Sequence, residues 1–93
     1  MLAACGGAPS SLELCHDVCN TEKRCGTLSD NDAANCNTDC DNMKGALSDQ
    51  DEANDKMCKN ADEIRSQEGD CASKACNEVD SCVAAVDTTC VVK

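Results

Sequence analysis

Cysteines at positions 15, 19, 36 and 40 form two pairs, each four residues apart. This spacing restricts the fold more than any other feature of the chain. Residues four apart share one face of an α-helix. CHDVC and CNTDC therefore read as two helical segments, each carrying two thiols on one side, with enough chain between them for a turn. In an antiparallel helical hairpin the positions nearest the turn meet. That geometry pairs Cys19 with Cys36 and Cys15 with Cys40, and both links fit one seam within ordinary disulfide dimensions.

Composition explains why such staples are needed. The 93 residues, a single domain's length, include no Phe, Tyr or Trp. Leu, Ile and Val together number twelve, and most other apolar residues are Ala (twelve) and Cys (eleven). At roughly 25 cal/mol per Å² of apolar surface buried, so few branched side chains cannot offset an ordering cost of about 1–2 kcal/mol per backbone residue. A cysteine content this high marks a disulfide scaffold, typical of small exported domains that lack a sufficient core. One link closing a loop of about 20 residues contributes on the order of 3 kcal/mol.

Eighteen acidic residues against eight basic ones leave a net charge of −10. A field of that sign repels nucleic acid and anionic membrane, so neither is expected as an electrostatic partner. No stretch approaches the roughly 20 apolar residues of a membrane span.

The chain opens MLAACGGAPSS. Leu2-Ala3-Ala4-Cys5, followed by Gly6, resembles the lipobox of bacterial lipoproteins. In that family the cysteine becomes the lipidated N-terminus, so the resemblance implies a diacylglyceryl group on Cys5 and membrane attachment through it. The Gly/Ala/Pro/Ser run behind it suits a flexible tether. Setting Cys5 aside also turns eleven cysteines into ten, a number that can pair completely. The basic start and apolar run of a full export signal are not in these residues.

Ser10-Ser11-Leu12-Glu13 offers a capping box for a first helix. Leu12, Cys15 and Cys19 form its inner face, Leu14 and Val18 stand beside them, and Cys25-Gly26 marks its end. Ser29 is the expected N-cap of a second helix, with Asp30 and Asp32 where the helix dipole favours anions. Ala33, Cys36, Cys40 and Met43 line its inside, and Gly45 ends it. LSDNDAAN at 28–35 recurs as LSDQDEAN at 47–54, identical at six of eight positions. The repeat predicts Ser48 as the cap of a third helix, running through Cys58, Ala61 and Ile64 to Gly69. A fourth opens near Asp70 or Cys71, carries Ala72, Cys76, Val79, Val83 and Val86, and is followed by a tail fastened through Cys90. These later helices are expected to dock on the hairpin through Met57, Ile64, Val79 and Val83. Cys58 and Cys82 lie at similar distances from the turn near Gly69, which suggests that pair. Spacing leaves Cys25, Cys71, Cys76 and Cys90 unassigned.

The twin Cys-x3-Cys arrangement over Cys15–Cys40 resembles two groups. One is the α-hairpinins, small stapled helical hairpins of plants that act as inhibitors or antimicrobials. The other is the twin Cys-x3-Cys chaperones of the mitochondrial intermembrane space. The resemblance implies a stapled helical hairpin. It does not carry the activities across, because the chaperones use apolar helix surface and the inhibitors use basic or loop residues, whereas the turn at 25–35 here is acidic.

Metal is the competing use of the same sulfurs. Thiolates four apart on facing helices suit a soft ion such as Cu(I). The pattern is similar to that of helical copper-storage proteins, with Met43, Met57 and His16 as accessory ligands. Against this, the cysteines after position 40 do not keep a four-residue ladder. The two-residue spacing of zinc ribbons and thioredoxin-like sites does not occur, nor do iron–sulfur runs. Asp49-Gln50-Asp51 lacks the central Gly and late Glu of an EF-hand and reads as helix capping. His16 reads as an exposed, solvated side chain. No nucleophile–base pair, phosphate loop or nucleophile elbow is visible.

The expectation is an all-α protein: a small disulfide-rich bundle of three or four short helices built on a Cys-stapled antiparallel hairpin. Residues 1–11 form the lipobox-like leader and tether, and 12–93 the stapled domain. The expected function is a non-enzymatic binding or structural module of the bacterial cell envelope, exported and lipid-anchored, with no cofactor and an unassigned protein partner. A Cu(I)-binding protein and a secreted inhibitor or toxin-like peptide are the alternatives.

Overall fold

Sequence-local signals set most of the helix ends. The computed structural model describes residues 8–93, so the lipobox-like stretch and Cys5 lie outside the described residues. Helix α1 spans Ser11–Arg24 and opens on the expected capping box: the Ser10 side chain accepts from the Glu13 backbone, and the Glu13 carboxylate accepts from the Ser10 backbone. It closes at Gly26, whose φ of 84° only glycine adopts cheaply. There the Gly26 and Thr27 amides return to the Lys23 and Glu22 carbonyls, a Schellman closure. Helix α2 spans Asp30–Asn42, with Ser29 accepting from the Asp32 amide at 3.1 Å.

The next boundaries differ from the expectation. Helix α3 spans Lys44–Met57 and follows α2 after the single residue Met43. Gly45 and Ser48 therefore lie inside a helix, and Ser48 caps nothing. The Leu47 amide bonds to the Met43 carbonyl at 2.9 Å, so helical bonding has resumed before the second LSD string begins. The same eight-residue pattern thus starts one helix and continues another. The chain then breaks at Cys58, which is extended and bridged to Val92. The Lys59 amide reaches the Val91 carbonyl at 2.7 Å, and the Lys93 amide reaches Met57 at 3.0 Å. Helix α4 spans Ala61–Cys71, and α5 spans Cys76–Ala85. The described residues thus hold five helices rather than three or four, because the C-terminal tail divides the predicted third helix.

Ten cysteines tie these helices together. Cys15 bonds Cys40, and Cys19 bonds Cys36, stapling α1 to α2 with Cα separations of 5.9 and 5.8 Å. The two links stack, with the Sγ atoms of Cys19 and Cys40 3.7 Å apart. The expected Cys58–Cys82 pair is not formed. Cys58 bonds Cys90 and Cys82 bonds Cys71, because the break after α3 lays the tail against Cys58 while α5 folds back on the end of α4. Cys25 bonds Cys76, joining the end of α1 to the start of α5.

The core is built from these sulfurs. Cys19, Cys40 and Cys71 are each 1 % exposed, and Ala33, Cys58 and Ala61 complete the buried apolar set. No Leu, Ile or Val among the described residues is buried. Met57 and Val83, expected to dock the later helices, are exposed instead.

Polar side chains make the remaining joints. The Arg65 side chain, 11 % exposed, donates to the Pro9 carbonyl and to Asp55 and Asp62, and it faces Asp51. Asp51 in turn accepts from the Ser11 amide and hydroxyl. Residues 9–11 are thereby held against α3 and α4. Gly69, inside α4, admits this approach: a Cβ there would meet the Pro9 ring at 3.1 Å. Arg24 donates to the Ala72 and Lys74 carbonyls just past the C-terminus of α4, where a cation also suits the helix dipole. Asn60 holds the tail by donating to the Thr89 carbonyl and accepting from the Val91 amide.

Candidate binding surface

A groove of about 430 Å³ runs between α1, α4 and α5. Its position follows from the packing. Both α1 and α5 rest on α4, and α5 is tied to α4 through Cys71–Cys82 and to the end of α1 through Cys25–Cys76. The two outer helices become walls and α4 with the residue after it becomes the floor. Leu14 and Val18 project from α1, Val79 and Val83 from α5, and Ala72 lies at the base. Each aliphatic pair is four residues apart, so each helix turns both members to the same side. Val18 is 56 % and Val83 50 % exposed. Thr21, buried at the foot of the α1 wall, donates to the Ala72 carbonyl at 3.4 Å.

The rim is acidic. Asp17 and Glu22 stand on α1, Glu68 on α4 and Asp80 on α5, and no Lys or Arg lines the groove. None of the four carboxylates takes part in an ion pair among the described residues. The sequence pattern predicts Leu14 and Val18 beside the inner face of the first helix and Val79 and Val83 in the contact that docks the later helices on the hairpin. The four-residue spacing of both pairs was visible. That they face each other across an open groove depends on α4 and on two crosslinks that spacing did not reveal.

A second cleft, of about 470 Å³, lies where Arg65, Asp51, Ile64 and Leu47 meet the tail at Thr88 and Cys90. Its one cation is already surrounded by Asp51, Asp55 and Asp62, so it offers an anionic ligand no uncompensated positive charge.

His16 differs from the solvated side chain expected. Its ring, 30 % exposed, joins α1 to α2: Nδ1 lies 2.7 Å from Asn37 Oδ1 and Nε2 lies 2.8 Å from Asp41 Oδ1. Asn37 is oriented by its own amide, which donates to Asn20 Oδ1 at 3.1 Å. With an acceptor at each ring nitrogen, protonation is favoured and the pKa is raised above the ordinary 6.5, the Asn37 bond being the largest cause and the Asp41 bond the next.

The sequence-expected disulfide residues fall as follows. Cys15, Cys19, Cys36 and Cys40 form the hairpin seam, Cys25 and Cys76 join the end of α1 to the start of α5, and Cys71 and Cys82 tie the groove floor to one wall. Cys58 and Cys90 fasten the tail on the other side. Among the described residues no three His, Cys, Asp or Glu side chains come together as a metal site. Five disulfides belong to an oxidising environment of the extracellular kind, and no helix among the described residues is long and apolar enough to cross a membrane. No protein-family model, curated protein or solved structure matches the chain.

Proposed function

We propose that this chain is an exported, non-enzymatic binding or structural module of the bacterial cell envelope, held at a membrane by lipid on Cys5. What supports the reading is the commitment of all ten described cysteines to crosslinks that themselves form the buried core. A chain built this way depends on an oxidising compartment, and it has aliphatic surface to spare for a partner. The LAACG start supplies the attachment.

The alternative use of the sulfurs requires thiolates, so a count of free thiols separates the two. Purified under native conditions, the protein is expected to weigh ten hydrogens less than its fully reduced form, two for each crosslink. Near ten free thiols in denaturant would overturn the module and favour Cu(I) binding. Exported behind a lipoprotein signal, the chain is expected to enter the detergent phase of a Triton X-114 separation. Cys5→Ser should return it to the aqueous phase with the same hydrogen deficit. Aqueous partition of the unsubstituted protein would remove the lipid anchor.

A further inference from the structure

Leu, Ile and Val are few in this protein, and none described is buried. Four of them nevertheless gather in one place, two on each wall of the α1–α4–α5 groove. Sulfur fills the interior, so these side chains are not needed there. An exposed apolar groove with half-exposed valines on facing walls loses unfavourable hydration when a complementary surface covers it.

Charge narrows what that surface can be. Asp17, Glu22, Glu68 and Asp80 surround the groove without a basic neighbour in its lining. Arg24, Arg65 and Lys23 are engaged elsewhere: Arg24 at the end of α4, Arg65 among three aspartates and Lys23 with Asp30. A second copy of the chain would bring another net charge of −10 and is repelled. An acyl chain would fill the floor and leave four carboxylates uncompensated. A helix with aliphatic side chains along one stripe and Lys or Arg on either side satisfies floor and rim together.

We propose that this groove docks a cationic amphipathic helix of a partner protein, a reading that rests on the chain being a binding module. The walls are already fixed. The Cys25–Cys76 link holds α1 and α5 with Cα atoms 5.5 Å apart, and Cys71–Cys82 holds α5 to α4 at the same separation. A receptor groove that is covalently set before binding loses little freedom on association. The aliphatic stripe of the partner sits between Val18 and Val83, and its basic residues meet Asp17 and Glu22 on one side and Asp80 on the other.

The test uses a fluorescent peptide of about 14 residues, long enough for a marginal helix, made of Leu and Lys with Leu at i, i+3, i+4 and i+7. One control has the same composition with the stripe scrambled, and another replaces Lys by Glu. Anisotropy with the oxidised full chain is expected to show saturable binding of the striped Leu/Lys peptide alone. Val18→Asn and Val83→Asn alter exposed positions, and each should weaken binding about tenfold or more, the equivalent of losing one good apolar contact. Asp17→Asn with Asp80→Asn should weaken it and flatten its dependence on salt. Val92→Asn, at a 68 % exposed position outside the groove lining, should change nothing. Unaltered binding in both groove valine variants, or equal binding of the scrambled peptide, would reduce the effect to nonspecific attraction and overturn the proposal. So would a dimer in sedimentation that Val83→Asn dissociates, or an alkyl maltoside bound in the groove as tightly as the striped peptide. If no peptide binds while the hydrogen deficit is complete, the groove assignment falls and the envelope module stands. Free thiols in place of the deficit remove the module itself.

Discussion

At His16 both ring nitrogens face an oxygen, and this gives the hairpin a measurable pH dependence. The folded-state pKa is raised above 6.5. A group raised on folding adds stability that is fully present below its unfolded pKa and is lost as pH rises through the folded value. The stability difference between the unsubstituted protein and His16→Ala is therefore expected to be largest near pH 5.5, about one unit below the unfolded value, and to shrink on the alkaline side. Denaturant melts across that range check it. An NMR titration of the ring protons supplies the second measurement: Asn37→Ala should lower the His16 midpoint towards 6.5, because the Asn37 bond is the larger cause. The glycines give opposite signs at the same scale. Gly26 has φ 84° with nothing within 4 Å of a added Cβ, so Gly26→Ala loses through backbone strain alone, about 1 kcal/mol. Gly45 sits in the first turn of α3 with the same open space, and Gly45→Ala should gain roughly 0.5 kcal/mol. Thermal melts under oxidising conditions distinguish the two.

Among the elements, α3 is attached by charge more than by apolar packing, since it contributes no buried residue. Arg65 provides much of that attachment. Arg65→Met should cost about 3 kcal/mol, because Asp51, only 15 % exposed, is left without its cation. Amide exchange in α3 and around Ser11 should quicken first, as the Asp51 bonds to Ser11 depend on the same carboxylate. The elements also show what the sequence makes legible. Ser10, Ser29 and Gly26 act within a few residues of themselves, so spacing alone placed the ends they govern, and the nested hairpin pairs follow from the same short range. Ser48 misled because a cap requires a preceding non-helical residue, and Met43 had already restarted the helix. The break at Cys58 is written in residues some thirty positions later, where Val91 and Val92 supply its partners. The groove has the same character: Leu14 and Val18 were visible as a stripe, but only the docking of α5 shows that the stripe is a wall.

For the molecule as a whole, crosslinks replace an aliphatic core, so reduction should act as denaturation. Excess reductant at neutral pH is expected to abolish most of the helical circular dichroism without added denaturant, whereas a protein with a conventional core would keep it. The links should also open in order of exposure. Cys76 is exposed while Cys19, Cys40 and Cys71 are not, so partial reduction followed by alkylation should label Cys25 and Cys76 ahead of the hairpin cysteines.

Cys25–Cys76 ties the first half of the chain to the second. Taken as a graph, the other four links fall into two sets, one confined to residues 15–40 and one to residues 58–90, and this bond alone joins them outside the main chain. All of α3 lies in the gap between the sets. A protease that cut α3 would leave a two-chain molecule in one covalent piece, heavier only by the water taken up in hydrolysis. Its halves would separate only when that bond was also broken.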